Sequence, residues 1–198
     1  MKKKIQGGFE SKRFVMRFLT PADYGVWRAA HLAVFPRQNE FDEEKRSSKE
    51  LTKAEYNKML RKFKKFTQKK IIYPYAVFEK KTGRHMGMVM ISLVLRYNVQ
   101  SARIAYSIFN NYWKHGYGKE VAGAAFSFAF RKLRLHRLEA EILPHNRASI
   151  SLAKSLGMEF EGLRRRAVYF QKKWHDHVIY AITAEDLGIK NTKPRIFD

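Results

Sequence analysis

The sequence predicts an α+β fold organised on a mostly antiparallel sheet, and three observations carry the prediction. Strand-like runs rich in Val, Ile, Tyr and Met (Ile71 to Glu79, His85 to Leu95, Gln100 to Phe109) come before a single long helical stretch that ends near Phe130. A turn with two glycines spaced G-x-G, Gly116 and Gly118, joins the last of these strands to that helix. Further strand-like runs follow it, and with 45% apolar and 14% aromatic residues in 198, the chain has ample material for a core.

Phe14 to Leu19 reads as a first strand. Thr20-Pro21-Ala22-Asp23 then has the chemistry of a helix start: Thr20 as N-cap, Pro21 at the first helical position and an acid in the first turn. Trp27, Ala30, His31 and Val34 follow at helical spacing until Pro36 ends the pattern, and His31 is expected to be a packed helix residue rather than a ligand. Arg37 to Ser48 is polar and charged and reads as a mobile loop. Lys49 to Lys70 is a basic amphipathic helix with Leu51, Tyr56, Met59, Leu60, Phe63 and Phe66 on one face. Its expected role is to cover the sheet with that face, because the other face of a core-packed helix has to be polar.

Ile71 to Glu79 and His85 to Leu95 are joined by Lys80-Lys81-Thr82-Gly83, a hairpin link. After the central helix, Leu138 to Leu143 is a strand with Glu139 and Glu141 on one side and Leu138, Ala140 and Ile142 on the other. Pro144-His145-Asn146 breaks it. Asn146 caps a short helix that ends at Ser155-Leu156-Gly157, with Gly157 supplying the left-handed position. Met158 to Leu163 and Ala167 to Tyr180 close the fold, the second folded back at Gln171-Lys172-Lys173. The reading is one domain over 1–198 with a charged insertion at 37–70 and a loosely attached tail at 188–198.

Composition narrows the function. Forty Lys+Arg against 18 Asp+Glu give a formal net charge of +22, a field that attracts RNA, DNA, an acidic surface or a phosphorylated cofactor. The chain has no cysteine, so disulfides, Cys-based metal sites and a cysteine nucleophile are excluded together. His175 and His177 share one strand face, but no third ligand is spaced to join them and no metal is expected. No apolar run is long enough to span a membrane, the N-terminus lacks the apolar stretch of a secretory signal, and a cytoplasmic location is expected.

The chemistry concentrates at the glycine turn. A strand feeding a glycine turn that opens a helix points free backbone N–H groups at one spot, at the positive end of the helix dipole, and so suits phosphate. Neither the dinucleotide fingerprint G-x-G-x-x-G nor the nucleotide loop G-x-x-x-x-G-K-[ST] is present, since Val121 stands where the third glycine would be.

The succession AYSI, NNYWKHGYG, long helix, LEAEI and NRASISLAKSLGMEFEG resembles the GNAT acyltransferase superfamily, and within it the ribosomal-protein N-acetyltransferases of the RimJ/RimL type. The resemblance covers roughly Phe14 to Glu185. It implies a central sheet flanked by helices on both faces and acetyl-CoA as cofactor. On that resemblance backbone groups of Ile108, Lys114, His115, Gly116, Gly118 and Lys119 cradle the cofactor, with the pyrophosphate on the glycine turn at the helix start and the pantetheine arm beside Tyr106, Ser107, Ile108 and Phe109. Tyr106, Tyr112 and Tyr117 flank the turn, with core packing and adenine stacking both open. Trp113 replaces the Gln or Arg of the wider pattern, and Lys114 replaces a further glycine. Asn146 is implied as a contact to the arm, and Ser149 as a contact and proton donor to the departing thiolate. Glu141 is the first candidate base and Glu161 the second, with salt bridges to arginine as the competing role.

The expected activity is direct acetyl transfer to a primary amine, with a protein's N-terminal α-amino group, a ribosomal one in particular, as preferred acceptor. A small amine is the alternative acceptor. A non-catalytic RNA or ribosome binder, gripping through the Lys49 to Lys70 helix, is the alternative from another class. Monomer and homodimer both remain open.

Overall fold

The structure, a computed structural model, describes residues 7–170 and 172–190. Eight strands form one open sheet in the order β1-β2-β3-β4-β5-β6-β8-β7, and four α-helices accompany them. The described residues fall into two compact units, 7–90 with 106–125 and 91–105 with 126–190.

In the first unit, a two-residue strand β1 (Phe9–Glu10), not expected from the sequence, pairs antiparallel with β2 (Phe14–Arg17). Two residues carry no readable alternation, so only pairing reveals such a strand. β2 also pairs antiparallel with β3 (Ile72–Glu79), and Phe14 and Met16 point into the core. The helix start at Thr20 has the expected chemistry: Asp23 Oδ2 accepts from the Thr20 N–H and from its hydroxyl, both at 2.8 Å. Arg17 adds two hydrogen bonds to the same carboxylate at 2.7 Å and lies over the Phe78 ring. A 3₁₀ turn at Pro21–Asp23 leads into α1 (Tyr24–Ala33).

The segment read as mobile, Arg37 to Ser48, is held in place. Asn110, buried, accepts from the Phe35 N–H at 2.8 Å and donates to the Phe35 carbonyl at 3.0 Å and to Asp42 Oδ2 at 2.8 Å. Arg37 ties the segment internally to Glu44 and to the Asn39 and Glu40 carbonyls. These partners are far apart in sequence or on backbone, and composition does not reveal them.

The amphipathic helix α2 runs over Lys53–Gln68, shorter than Lys49 to Lys70, because the Thr52 side chain caps it by accepting from the Glu55 N–H at 3.2 Å. Leu51 and Tyr56 are fully buried with Trp27, and Met59 and Leu60 pack against them, so the apolar face is buried as expected, but this cluster is built with α1 residues rather than with the sheet. The Tyr56 hydroxyl donates to the Thr20 carbonyl at 2.7 Å, joining α2 to the start of the first helical turn. His31 packs among Trp27, His85 and Phe109.

β4 (His85–Leu95) and β5 (Ser101–Ile108) follow, then α3 (Tyr117–Arg131). In the second unit, β6 (Arg137–Ile142) pairs parallel with β5 over Ser101↔Arg137 to Arg103↔Glu139. A helical crossover is what a parallel neighbour requires, and α3 supplies it. On its other side β6 pairs antiparallel with β8 (Lys173–Thr183) along its whole length. α4 (Arg147–Ser155) is capped by Asn146, whose Oδ1 accepts from the Ser149 N–H at 3.1 Å, and Gly157 takes φ +85° after it.

Where the sequence suggested two separate runs, β7 is continuous over Glu159–Phe170 and pairs with β8. Arg164, Arg165 and Arg166 belong to it. Register shifts between Phe160 and Gly162 and between Arg164 and Val168 interrupt the alternation that would have marked it as one strand. The expected fold-back at Gln171-Lys172-Lys173 includes Gln171, which lies outside the described residues, as does the tail from 191 to 198.

Candidate active site

The glycine turn is built from the end of β5. Tyr106 and Ile108 are half-buried, Phe109 donates its N–H to the Met86 carbonyl at 2.9 Å, and Ser107 is exposed. Burial pushes the Tyr106 phenol up to about 12, so it stays protonated at neutral pH. A 3₁₀ turn at Asn110–Tyr112 follows. The Trp113 indole N–H then reaches back to the Ile108 carbonyl at 2.6 Å, and the His115 ring meets the Trp113 carbonyl at 2.6 Å.

Lys114 and Gly116 both take left-handed backbone, φ +65° and +72°. A Cβ on Gly116 would meet nothing within 4 Å, so conformation rather than space makes glycine suitable there. Lys114 adopts the same region against its side chain's preference, a local strain of ~1 kcal/mol. The first main-chain bond into α3 is Glu120 N–H to the Gly116 carbonyl at 3.3 Å. The N–H groups of Tyr117, Gly118 and Lys119 precede it and have no intrahelical acceptor.

Glu120 would place an anion in this first turn, but its carboxylate is engaged elsewhere. Oε1 accepts from the Ser11 hydroxyl and the Arg13 N–H, both at 2.7 Å, and Oε2 from Arg13 Nε at 2.6 Å. Burial pushes this carboxyl up, and the Arg13 backbone, Ser11 and the Arg13 guanidinium outweigh it and hold it below its ordinary range. The guanidinium also covers the Tyr117 ring at 4.6 Å. The helix start therefore keeps its positive character, with Lys114 and Lys119 exposed beside it.

The candidate bases lie in the second unit, in a lattice of ion pairs. Glu141 Oε1 accepts from Arg103 Nε at 2.7 Å and from Arg164, and Oε2 lies 3.9 Å from His177 Nδ1. Glu139, buried, pairs with Arg137 Nε at 2.9 Å and with Arg164 at 3.6 Å. Glu161 is held by the Arg137 guanidinium, with one hydrogen bond of 2.7 Å and a second closer contact. That guanidinium keeps the Glu161 carboxyl below its usual range, which weakens it as a base. The arginine partnerships weighed against catalysis are thus present at all three glutamates. Only Glu141 retains an oxygen directed at a neutral group.

That group is His177, which the sequence offered only as half of a pair with His175. Burial lowers its pKa, the Glu141 carboxylate opposes this, and Nδ1 is enclosed without a hydrogen-bond partner. Its place beside Glu141 follows from the pairing Glu141↔Ile179 and Arg164↔His177, a register that no local pattern announces. Asn146 and Ser149, half-buried, sit at the α4 start, where the Asn146 oxygen serves as cap while its amide N–H₂ is left for another partner.

A family model described as an acetyltransferase (GNAT) domain matches residues 13–159. The chain belongs to the GNAT acetyltransferase family. Its members use acetyl-CoA as acetyl donor. The chain is 30% identical over 114 residues to a probable N-acetyltransferase, YjcK, of Bacillus subtilis, a match covering 58% of this chain and 63% of that protein. It is 30% identical over 112 residues to the [ribosomal protein uS5]-alanine N-acetyltransferase of Escherichia coli, covering 57% and 58%. The matches thus span about three fifths of these relatives' own length. Among solved structures, Mycobacterium smegmatis RimJ in complex with CoA-disulfide superposes with a TM-score of 0.74 at 21% identity, over 91% of this chain and 88% of that one.

The glycine turn fits the GNAT donor on its own chemistry. Three helix N–H groups without intrahelical acceptors, two exposed lysines and a glycine in left-handed conformation suit a pyrophosphate. In the second unit the β5–β6 ladder ends at Arg103↔Glu139, although β6 continues to Ile142, so Ile104 and Ala105 extend past its last pair. A strand released from its neighbour can hydrogen-bond an extended ligand.

Proposed function

We propose that this protein is an acetyl-CoA-dependent N-acetyltransferase that acts on a primary amine, with the N-terminal α-amino group of a protein, a ribosomal one in particular, as preferred acceptor. The observation that carries the donor half is the Trp113–Lys119 turn, where N–H groups without an intrahelical acceptor open α3 beside two exposed lysines. Acetyl-CoA supplies an acetyl group activated as a thioester. On this reading the backbone of Lys114, His115, Gly116, Gly118 and Lys119 holds its phosphates, and Tyr106, Ser107, Ile108 and Phe109 border the arm. Asn146 offers its amide N–H₂ to that arm, and the Ser149 hydroxyl hands a proton to the departing thiolate. Trp113 positions the turn through Ile108, and Tyr117 borders its helical side.

The acceptor half rests on proton chemistry. An amine attacks only when neutral, and an α-amino group with pKa near ~8 needs a weaker base than lysine near ~10.4. Glu141, whose Oε2 faces His177 Nδ1 at 3.9 Å, is the base on this reading, whereas Glu161 is committed to Arg137. With no cysteine in the chain, transfer is direct. The E. coli relative's name, a uS5-alanine N-acetyltransferase, supports a protein N-terminus over a small amine. Among the described residues no helix is long and apolar enough to cross a membrane.

The test is thermal shift and calorimetry with acetyl-CoA, followed by mass spectrometry on peptides with free α-amines, peptides with blocked N-termini and internal lysines, and small amines. Acetylation of the first group is expected. Absence of binding at millimolar acetyl-CoA would sink the enzyme reading, and preferential acetylation of small amines would move the acceptor.

A further inference from the structure

The β7–β8 hairpin carries two large aromatic side chains in water. Tyr169 and Trp174 are 58% and 60% exposed, directly paired across the two strands and in edge contact at 5.4 Å. A directly opposed pair shares one sheet face, so both rings stand on the same side. Exposing a Trp and a Tyr together forfeits burial that would favour folding, and such a patch on a polar surface marks a contact site.

The sequence that carries these rings is charged with one sign. Between Gly162 and His175 the chain holds Arg164, Arg165, Arg166, Lys172 and Lys173 and no acid. Arg164 is occupied by Glu139 and Glu141, but Arg165, Arg166, Lys172 and Lys173 are exposed and their side chains make no ion pair among the described residues. Asp176, the nearest acid along β8, spends Oδ1 on the Arg166 N–H at 2.7 Å.

We propose that the paired ends of β7 and β8 are a contact site for single-stranded RNA, with bases stacking on Trp174 and Tyr169 and the backbone tracking Arg165, Arg166, Lys172 and Lys173. Exposed aromatic faces among cations are the recognition chemistry of unpaired nucleic acid. A duplex offers phosphates to the lysines but no free base for the rings. An acidic peptide would satisfy the cations and leave the aromatics unexplained. A second copy of this chain paired through the free β7 edge would set a run of three arginines against its own image. The helix first suspected of gripping RNA, α2, is a weaker candidate because its aromatic residues face inward: Tyr56 is buried, and Phe63 and Phe66 are half-buried.

The test is fluorescence anisotropy of a labelled, mixed-sequence single-stranded RNA with the full chain over a salt series. Trp174→Ala with Tyr169→Ala should weaken binding about tenfold or more at fixed salt and leave the salt slope unchanged, with Trp174→Phe restoring most of the affinity. Lys172→Glu with Lys173→Glu should lower the slope of log K against log salt by about 1.4. Equal affinity of the double alanine variant and the parent would overturn the proposal. So would equal binding of a duplex of the same sequence, or loss of binding only on reversing charges in α2 at Lys64 and Lys65. A polyglutamate peptide that displaces the RNA charge for charge, and whose own binding the double alanine variant also loses, would assign the patch to acidic protein segments instead. These side chains are exposed, so an unchanged melting temperature verifies that each variant is folded. Acetyl-CoA binding is expected to survive in all of them, which separates this site from the proposed donor site.

Discussion

The indole N–H of Trp113 donates to the main-chain carbonyl of Ile108 at 2.6 Å, closing the chain across the turn that leads into α3. A residue that departs from the wider family pattern thus has a structural role, because it fixes where the left-handed pair Lys114 and Gly116 begins. Replacing the ring's donor while keeping its bulk, Trp113→Phe, leaves the Ile108 carbonyl short of a partner, at a cost of ~1 kcal/mol. Calorimetry should show the acetyl-CoA Kd raised about fivefold. A Kd and melting temperature both equal to the parent's would remove Trp113 from the positioning of the turn.

Gly116→Val tests the cradle more severely. The left-handed backbone at φ +72° disfavours a β-branched residue by ~1–2 kcal/mol, although the space beside it is empty. The turn is expected to relax toward another conformation and the acetyl-CoA Kd to rise tenfold or more, with Gly116→Ala intermediate. If Gly116→Val binds acetyl-CoA as tightly as the parent, the phosphates lie elsewhere.

For the base, Glu141→Gln keeps the shape and the hydrogen bonds to Arg103 and Arg164 but removes the proton acceptor facing His177. Turnover should fall mainly below pH ~8, where the α-amine is protonated and help is needed, and acetyl-CoA affinity should be spared. A pH–rate profile that merely scales down at all pH values would assign Glu141 to the ion-pair lattice alone.

His85 gives a prediction about stability. It is almost wholly enclosed near His31, Phe78 and Phe109, and burial, aided by the nearby His31, pushes its pKa from 6.5 down to about 3, with Asp23 opposing and Arg17 reinforcing. A folded-state pKa below the unfolded one means that the unfolded chain takes up the proton first. The contribution is therefore complete above pH 6.5 and is lost as pH falls toward 3. His31 and His177 are lowered in the same sense. Urea titrations between pH 6.5 and 5, where carboxylates are still largely ionised, should show stability falling by up to about 1.4 kcal/mol per pH unit for each such histidine. His85→Phe, which suits an aromatic surrounding, should reduce that slope by up to one histidine's share, and an unreduced slope would contradict the assignment.

Apart from the short β1 and the continuity of β7, the order of elements is legible in the amino-acid sequence, and so are the glycine turn and the residues gathered at it. Helix starts at Thr20 and Asn146 and the stop at Gly157 can be read there because capping is local chemistry, played out within a few residues of one chain segment. The amphipathic face of α2 is legible for the same reason, since Tyr56, Met59 and Leu60 repeat at helical spacing. What the charged residues do is settled only by the folded chain. Whether Glu141, Glu139 and Glu161 meet arginines, and which of them keeps an oxygen toward a neutral histidine, depends on the registers of β5, β6, β7 and β8, and a shift of one residue would send each side chain to the other face. The same holds for Asn110, whose partners Phe35 and Asp42 lie about seventy residues away and which turned a segment of loop composition into a held one.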